Sequence, residues 1–173
     1  MFPIRDHNPS SRTPYVTYGL IAVNVLVFLS YWPLMSDPRA LQRFFFDWAL
    51  IPAAISQGVL VHGLVTSMFL HGGLMHLAGN MLFLWVLGDK LEDALGHLRY
   101  LAFYLLCGVA AALLFSVLKP DSTVPLIGAS GATSGLVAAY LMLALTLAPA
   151  LEQIAGLNTL AIHLFIAYYA SLA

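Results

Sequence analysis

The chain has 173 residues, of which 61% are hydrophobic and 9% charged, and its mean hydropathy is +0.87. A soluble domain is about 45–50% apolar and about 25% charged, so one small water-facing core cannot bury this excess and lipid must be the solvent. The net charge of -1 excludes a basic surface for nucleic acid, and the single cysteine, Cys107, excludes an internal disulfide.

Met1 to Thr13 is polar and charged, with no apolar core and no cleavage site. It is therefore expected to be an exposed tail and not a signal peptide. Tyr15 to Leu34 is the first apolar run, about 20 residues, which is near the length that a ~30 Å hydrocarbon core requires. Tyr31, Trp32 and Pro33 at its end suit a membrane interface. Residues 36–63 form a long connection that is too apolar for open water at Phe44, Phe45, Phe46 and Trp48, and too charged for a span at Asp37, Arg39, Arg43 and Asp47. Two readings fit: an amphipathic segment in the headgroup plane, or an aromatic-rich loop packed on its own helices. A second span is expected over 64–91, a charged turn from Asp89 to Arg99, a third span over 100–118 and a fourth over 127–147, broken by Pro149. Residues 159–173 are a last apolar run, short for a full crossing. Arg5, Arg12, Lys90 and Arg99 fall on one side and Arg39, Arg43 and Lys119 on the other, which favours a cytoplasmic amino terminus.

Polar residues inside such runs are costly and usually face a bundle interior or a wet cavity. His76 and Asn80 are spaced i, i+4 and share one helix face. The next positions on that face are Leu84 and Gly88, so the stripe is polar only at its outer end. That pattern fits a shallow wet cavity, and equally a pair of interhelical hydrogen bonds. The run Leu126-Ile127-Gly128-Ala129-Ser130-Gly131-Ala132-Thr133-Ser134-Gly135 follows a polar turn and puts a serine hydroxyl near the first turn of the fourth span. Unpaired N–H groups at a helix start carry partial positive charge, and an oxyanion forming there would be stabilised. Gly131 and Gly135 also make a GxxxG pair, and Ser130 and Ser134 a second pair of small residues, which let helices approach with no chemistry at all. The two readings are compatible, because close approach is how a serine would be held against a group on a neighbouring helix. Ser134 is the rival nucleophile; Ser130 is preferred because glycine directly follows it and it sits nearer the outer end.

Together these residues resemble the rhomboid family of intramembrane serine proteases. The likeness rests on the stretch from His71 through Gly72, Gly73, His76 and Asn80 to Met81, on Trp85, Gly88 and Glu92, and on Gly128-Ala129-Ser130-Gly131 at family spacing. Phe2-Pro3-Ile4-Arg5-Asp6 resembles one bacterial branch, and the likeness runs from Met1 to about Leu145. The resemblance implies an all-α polytopic bundle of about five transmembrane segments, with residues 15–173 as the membrane domain behind a cytoplasmic tail over 1–14. It implies residence in a membrane, the bacterial inner membrane by that branch, with the lipid bilayer and transmembrane protein substrates as partners and no metal, organic cofactor or nucleic acid. It also implies an endopeptidase that cleaves membrane-anchored proteins in or near their transmembrane segment. Ser130 would be the nucleophile. The Ser130 backbone N–H, the Gly128 turn and the side chains of His76 and Asn80 would form the oxyanion site. His76 would then be a donor and not the base. His71, expected above the site at the water boundary, and Gly131 would have structural or gating roles.

A serine hydroxyl needs a base in hydrogen-bond reach. Rhomboids carry it as a histidine in an Ala-His-x-Gly-Gly motif on a sixth span, and this sequence has no such motif before Ala173. The expectation is a chain truncated or altered at its carboxyl end. His163 is the one histidine after Ser130. The fourth span descends ~26 Å from Ser130 to Leu147, and His163 regains only ~9 Å of that at ~1.5 Å per residue. A gap of about 15 Å is left unless the last segment is tilted or re-entrant. Two further readings stay open: a rhomboid-like protein that binds transmembrane segments without cleaving them, and a small membrane protein whose GxxxG face serves assembly.

Overall fold

The computed structural model describes residues 12–146. The expectations for the tail before Arg12, for Pro149, for the run over 159–173 and for His163 lie outside the described residues. Among the described residues every regular element is helical. Helix α1 is Tyr15–Tyr31, continued by a 3-10 turn Trp32–Ser36; α2 is Pro38–Trp48, α3 Pro52–Ile55 and α4 Gly63–Thr66, followed by a 3-10 turn Ser67–Phe69; α5 is Leu74–Leu95, α6 His97–Leu118 and α7 Ser130–Thr146. Tyr15–Ser36 and His97–Leu118, at 22 residues each, are long and apolar enough to cross a bilayer, and Gly63–Leu95 is a third candidate if its bent halves count as one span. Leu26 and Leu29 on α1 and Leu106, Leu114 and Val117 on α6 are exposed, as expected of surfaces meeting acyl chains rather than water.

Three departures from the simple hydropathy pattern shape the site. The first is at Tyr31. An interfacial anchor is half wet, yet this ring is 1% exposed and packs against Phe28, Phe44 and Phe45. The second concerns the charged aromatic connection. It holds a true amphipathic helix, α2, opened by Pro38 and capped by Asp37, whose carboxylate accepts the N–H groups of Arg39 and Ala40 at 3.0 and 3.2 Å. Its half-buried Leu41, Phe44 and Phe45 lie against the end of α1, while Arg39, Gln42 and Arg43 are exposed. The third is in the apolar run over 64–91, which is two helical pieces bent by 95° and not one rod. The chain runs out of helix at Leu70–Gly73, so α5 starts at Leu74 and puts His76 in its first turn.

The lower end of the bundle is locked by Glu92 of α5. This carboxylate is 1% exposed and lies against the amino terminus of α1. It accepts the Val16 N–H at 2.9 Å, the Thr17 N–H at 2.8 Å and the Thr17 hydroxyl at 2.7 Å. The first N–H groups of a helix have no partner within it, and an anion there is further favoured by the helix dipole. His97 Nδ1 meets Oε1 of the same carboxylate, the oxygen that also accepts the Val16 N–H. Gly88, one turn earlier, lets the three helices close up: a Cβ there would stand 2.7 Å from the Tyr100 hydroxyl and 2.8 Å from Thr17. The turn from α5 to α6 is Gly96 alone, at φ +78°, where an L side chain is strained.

Glycine also sets the contact of α6 with α7. A Cβ on Gly131 would be 2.6 Å from that of Ala111, and one on Gly135 2.6 Å from that of Cys107. The small-residue pair read from the sequence thus faces α6. Glu92→Ala should leave two enclosed amides without acceptors, and we expect a loss of about 3 kcal/mol of stability, read as a lowered midpoint of thermal unfolding in detergent.

Candidate active site

The loop before α7 is pinned to the strand-like turn after α2. Leu50 and Leu126 exchange both backbone hydrogen bonds, at 3.2 and 2.8 Å, as an isolated antiparallel bridge. Ala53 N–H donates to the Ser122 carbonyl at 3.1 Å, and Gly128 N–H donates to the Ser67 carbonyl at 2.9 Å. These bonds fix the chain just ahead of Ser130, and Gly128 then turns at φ +117°. That conformation is open to glycine and strained for any L side chain. Space gives a second reason for glycine. A Cβ at Gly128 would lie 2.6 Å from His76 Nε2 and 3.7 Å from Ser130 Oγ. The imidazole and the hydroxyl therefore both approach one point beside Gly128.

Ser130 is the first residue of α7, and His76 is in the first turn of α5. Both stand at helix starts on the same end of the bundle. Asn80 lies one turn below His76 and is 1% exposed. Its Nδ2 donates to the His76 carbonyl at 3.0 Å, and its Oδ1 accepts the Thr133 hydroxyl at 3.3 Å. Those partners distinguish the two ends of the amide. The Thr133 hydroxyl also lies 3.1 Å from the Ser130 carbonyl, so Thr133 joins the carboxamide of α5 to the serine turn of α7. Ser134 Oγ donates to the Ser130 carbonyl at 2.7 Å, a bond along its own helix. His76 Nδ1 receives the Gly72 N–H across a long 3.5 Å. Nε2 is the ring nitrogen nearest to where a Cβ on Gly128 would stand.

His71 departs from its expected position. It has no exposed surface, so it lies inside the protein and not at a water boundary. Its ring stands nearly perpendicular to that of His76, 72° between planes and 5.1 Å between centroids. Neither ring nitrogen has a hydrogen-bond partner among the described residues. Gly131 turns toward α6, and with Ser67, Met68, Gly108, Ala111 and Ile127 it lines a cavity of about 180 Å³ that reaches Ser130. The walls are mainly apolar, with hydroxyls at Ser67 and Ser130.

The structure thus brings Ser130, Gly128, His76 and Asn80 together and sets His71 against His76. Two participants were not singled out in the sequence. Thr133 carried a usable signal, a hydroxyl three residues after Ser130 in an apolar run. Ser67 contributes its carbonyl, which any residue could supply, and so carried none. Among the described residues no group of three or more His, Cys, Asp or Glu could hold a metal ion.

Residues 59–173 match the sequence family described as Rhomboid domain. The presenilin-associated rhomboid-like protein, mitochondrial, of Bos taurus is 35% identical over 123 residues, which are 70% of this chain and 31% of that protein. RHOMBOID-like protein 5 of Arabidopsis thaliana is 36% identical over 78 residues, 45% of this chain and 25% of the relative. The rhomboid protease GluP of Bacillus subtilis (strain 168) is 40% identical over 83 residues, 48% of this chain and 16% of the relative. The chain spans less than a third of the length of these relatives. With apolar helices of membrane-crossing length and a family match over most of its residues, this chain is an all-helical integral membrane protein and belongs to the rhomboid family.

Proposed function

We propose that this chain is a rhomboid-type serine endopeptidase that cleaves membrane-anchored proteins in or near their transmembrane segment. One observation carries the reading: His76 Nε2 and Ser130 Oγ both lie within 4 Å of where a Cβ on Gly128 would stand, and the imidazole leaves no room for one. Ser130 Oγ attacks the peptide carbonyl as its proton passes to a base; collapse of the intermediate breaks the C–N bond, the amine leaves with that proton, and water then hydrolyses the acyl ester on Ser130. In the attack the carbonyl oxygen becomes an oxyanion at the start of α7. The Ser130 N–H and the Gly128 turn, the Nε2–H of His76 and the amide of Asn80 surround that oxygen. Thr133 holds the Asn80 amide in place, so the donors are arranged before charge develops and need little reorganisation. His71 packs against the His76 ring and has a structural role. We place the amino terminus on the cytoplasmic side, with the membrane domain over residues 15–173, from the distribution of Arg and Lys.

The base that takes the Ser130 proton is tested through His163, the one histidine that follows Ser130 in the sequence. Labelling by a fluorophosphonate probe that disappears in His163→Ala assigns it; labelling that survives removes it from the mechanism. The same probe tests the whole reading. Labelling should occur at Ser130, vanish in Ser130→Ala and persist in Ser134→Ala. Absence of labelling in a folded sample would instead support a rhomboid-like protein that binds transmembrane segments without cleaving them. His76→Ala and Asn80→Ala should each lower kcat by about 10²–10³, the usual effect of losing one oxyanion donor. Gly128→Ala should abolish labelling, because its methyl group would take the space beside His76 Nε2.

A further inference from the structure

The hydroxyl of Tyr31 sits 40 residues before His71 in sequence and in contact with it in space. It accepts the His71 N–H at 2.7 Å and donates to the His71 carbonyl at 2.9 Å. One oxygen thus satisfies both backbone groups of a single residue. An extended stretch between two helices has no ladder to fix it, and buried backbone groups must find partners. Here the partner comes from the end of α1. The Tyr31 ring is itself held, 4.9 Å from the Phe44 ring and 5.6 Å from that of Phe28, and is 1% exposed. The clamp therefore fixes the chain just where it turns into α5.

The next amide along that chain is Gly72 N–H, the group that meets His76 Nδ1. A ring nitrogen that accepts a hydrogen bond keeps its lone pair, so the proton resides on the other nitrogen. That other nitrogen, Nε2, is the one beside Gly128, in the turn that leads into Ser130. The contact is long and depends on where the Gly72 amide is held, which depends in turn on His71. We infer that Tyr31 is a positioning residue for His76, acting through the His71–Gly72 backbone to keep the Nε2–H tautomer facing the Gly128 turn ahead of Ser130. The catalytic consequence rests on the reading of His76 as an oxyanion donor; the tautomer itself does not.

The experiment is ¹⁵N NMR of the full chain labelled at histidine, in detergent micelles, with the His76 signals assigned through His76→Gln. The wild-type protein should show His76 protonated at Nε2 alone. Tyr31→Phe, which keeps the ring and removes one oxygen, should give a mixture of tautomers. Phe28→Leu disturbs the same aromatic cluster without removing a hydroxyl and should leave the His76 signals as in wild type. Turnover of a membrane-anchored substrate should fall about tenfold in kcat for Tyr31→Phe with KM unchanged, a fraction of the about 10²–10³ lost with a whole oxyanion donor. A wild-type His76 protonated at Nδ1, an unchanged spectrum in Tyr31→Phe, or the same change in Phe28→Leu would each overturn the inference. A chain with no turnover at all but with the expected spectra overturns the protease reading and leaves the positioning role of Tyr31 standing.

Discussion

Close approach of helix backbones is the condition on which this bundle depends. In hydrocarbon there is no gain from hiding apolar side chains from water, so helices associate through tight packing and a few polar contacts. Gly131 and Gly135 bring α7 onto α6 at Ala111 and Cys107, Gly108 accepts the side chain of Met68, and Gly88 admits Thr17 and Tyr100. The serine helix is placed by these contacts. Its first turn can then be reached from α5 by His76 and by Asn80 through Thr133. Packing and the polar cluster are one arrangement here, since the glycines that close the α6 side leave Ser130 held against the α5 side.

The two ends of α1 are tied to the same neighbouring element by different means. At its start, Glu92 of α5 takes the orphan amides of Val16 and Thr17. At its end, the Tyr31 hydroxyl takes both backbone groups of His71, just ahead of α5. The first bond set is ionic and caps a helix; the second is neutral and caps a bend. Both place polar groups where lipid would leave them unsatisfied, and they hold opposite ends of α5, Glu92 its last turns and Tyr31 the chain that enters its first.

Membrane residence and the polar constellation were legible in the sequence because a polar group in an apolar run is conspicuous. His76, Asn80 and Ser130 stand out for that reason. Tyr31 did not, since an aromatic at the end of an apolar run has the look of an interfacial anchor; only its partner, 40 residues away, gives it another meaning, and a single distant hydrogen bond leaves no period to read. The break at Leu70–Gly73 falls at His71-Gly72-Gly73, a short dip in hydropathy that the apolar residues on either side outweigh over the length of a span, whereas helix continuity depends on backbone bonding. His71 was misplaced by depth reasoning for the same cause: five residues of straight helix would raise it to the water, and a 95° bend folds it back into the protein.

The joint between α5 and α6 has a mechanical consequence. Gly96 alone connects them, and just beside it the Glu92 carboxylate joins α1 and His97 to the same corner. A hairpin with a one-residue bend has no slack, so α5 and α6 cannot part at that end without unwinding a turn of helix. They move as a single stiff fork, and any opening of this bundle toward surrounding lipid has to occur along a flank that the fork does not close.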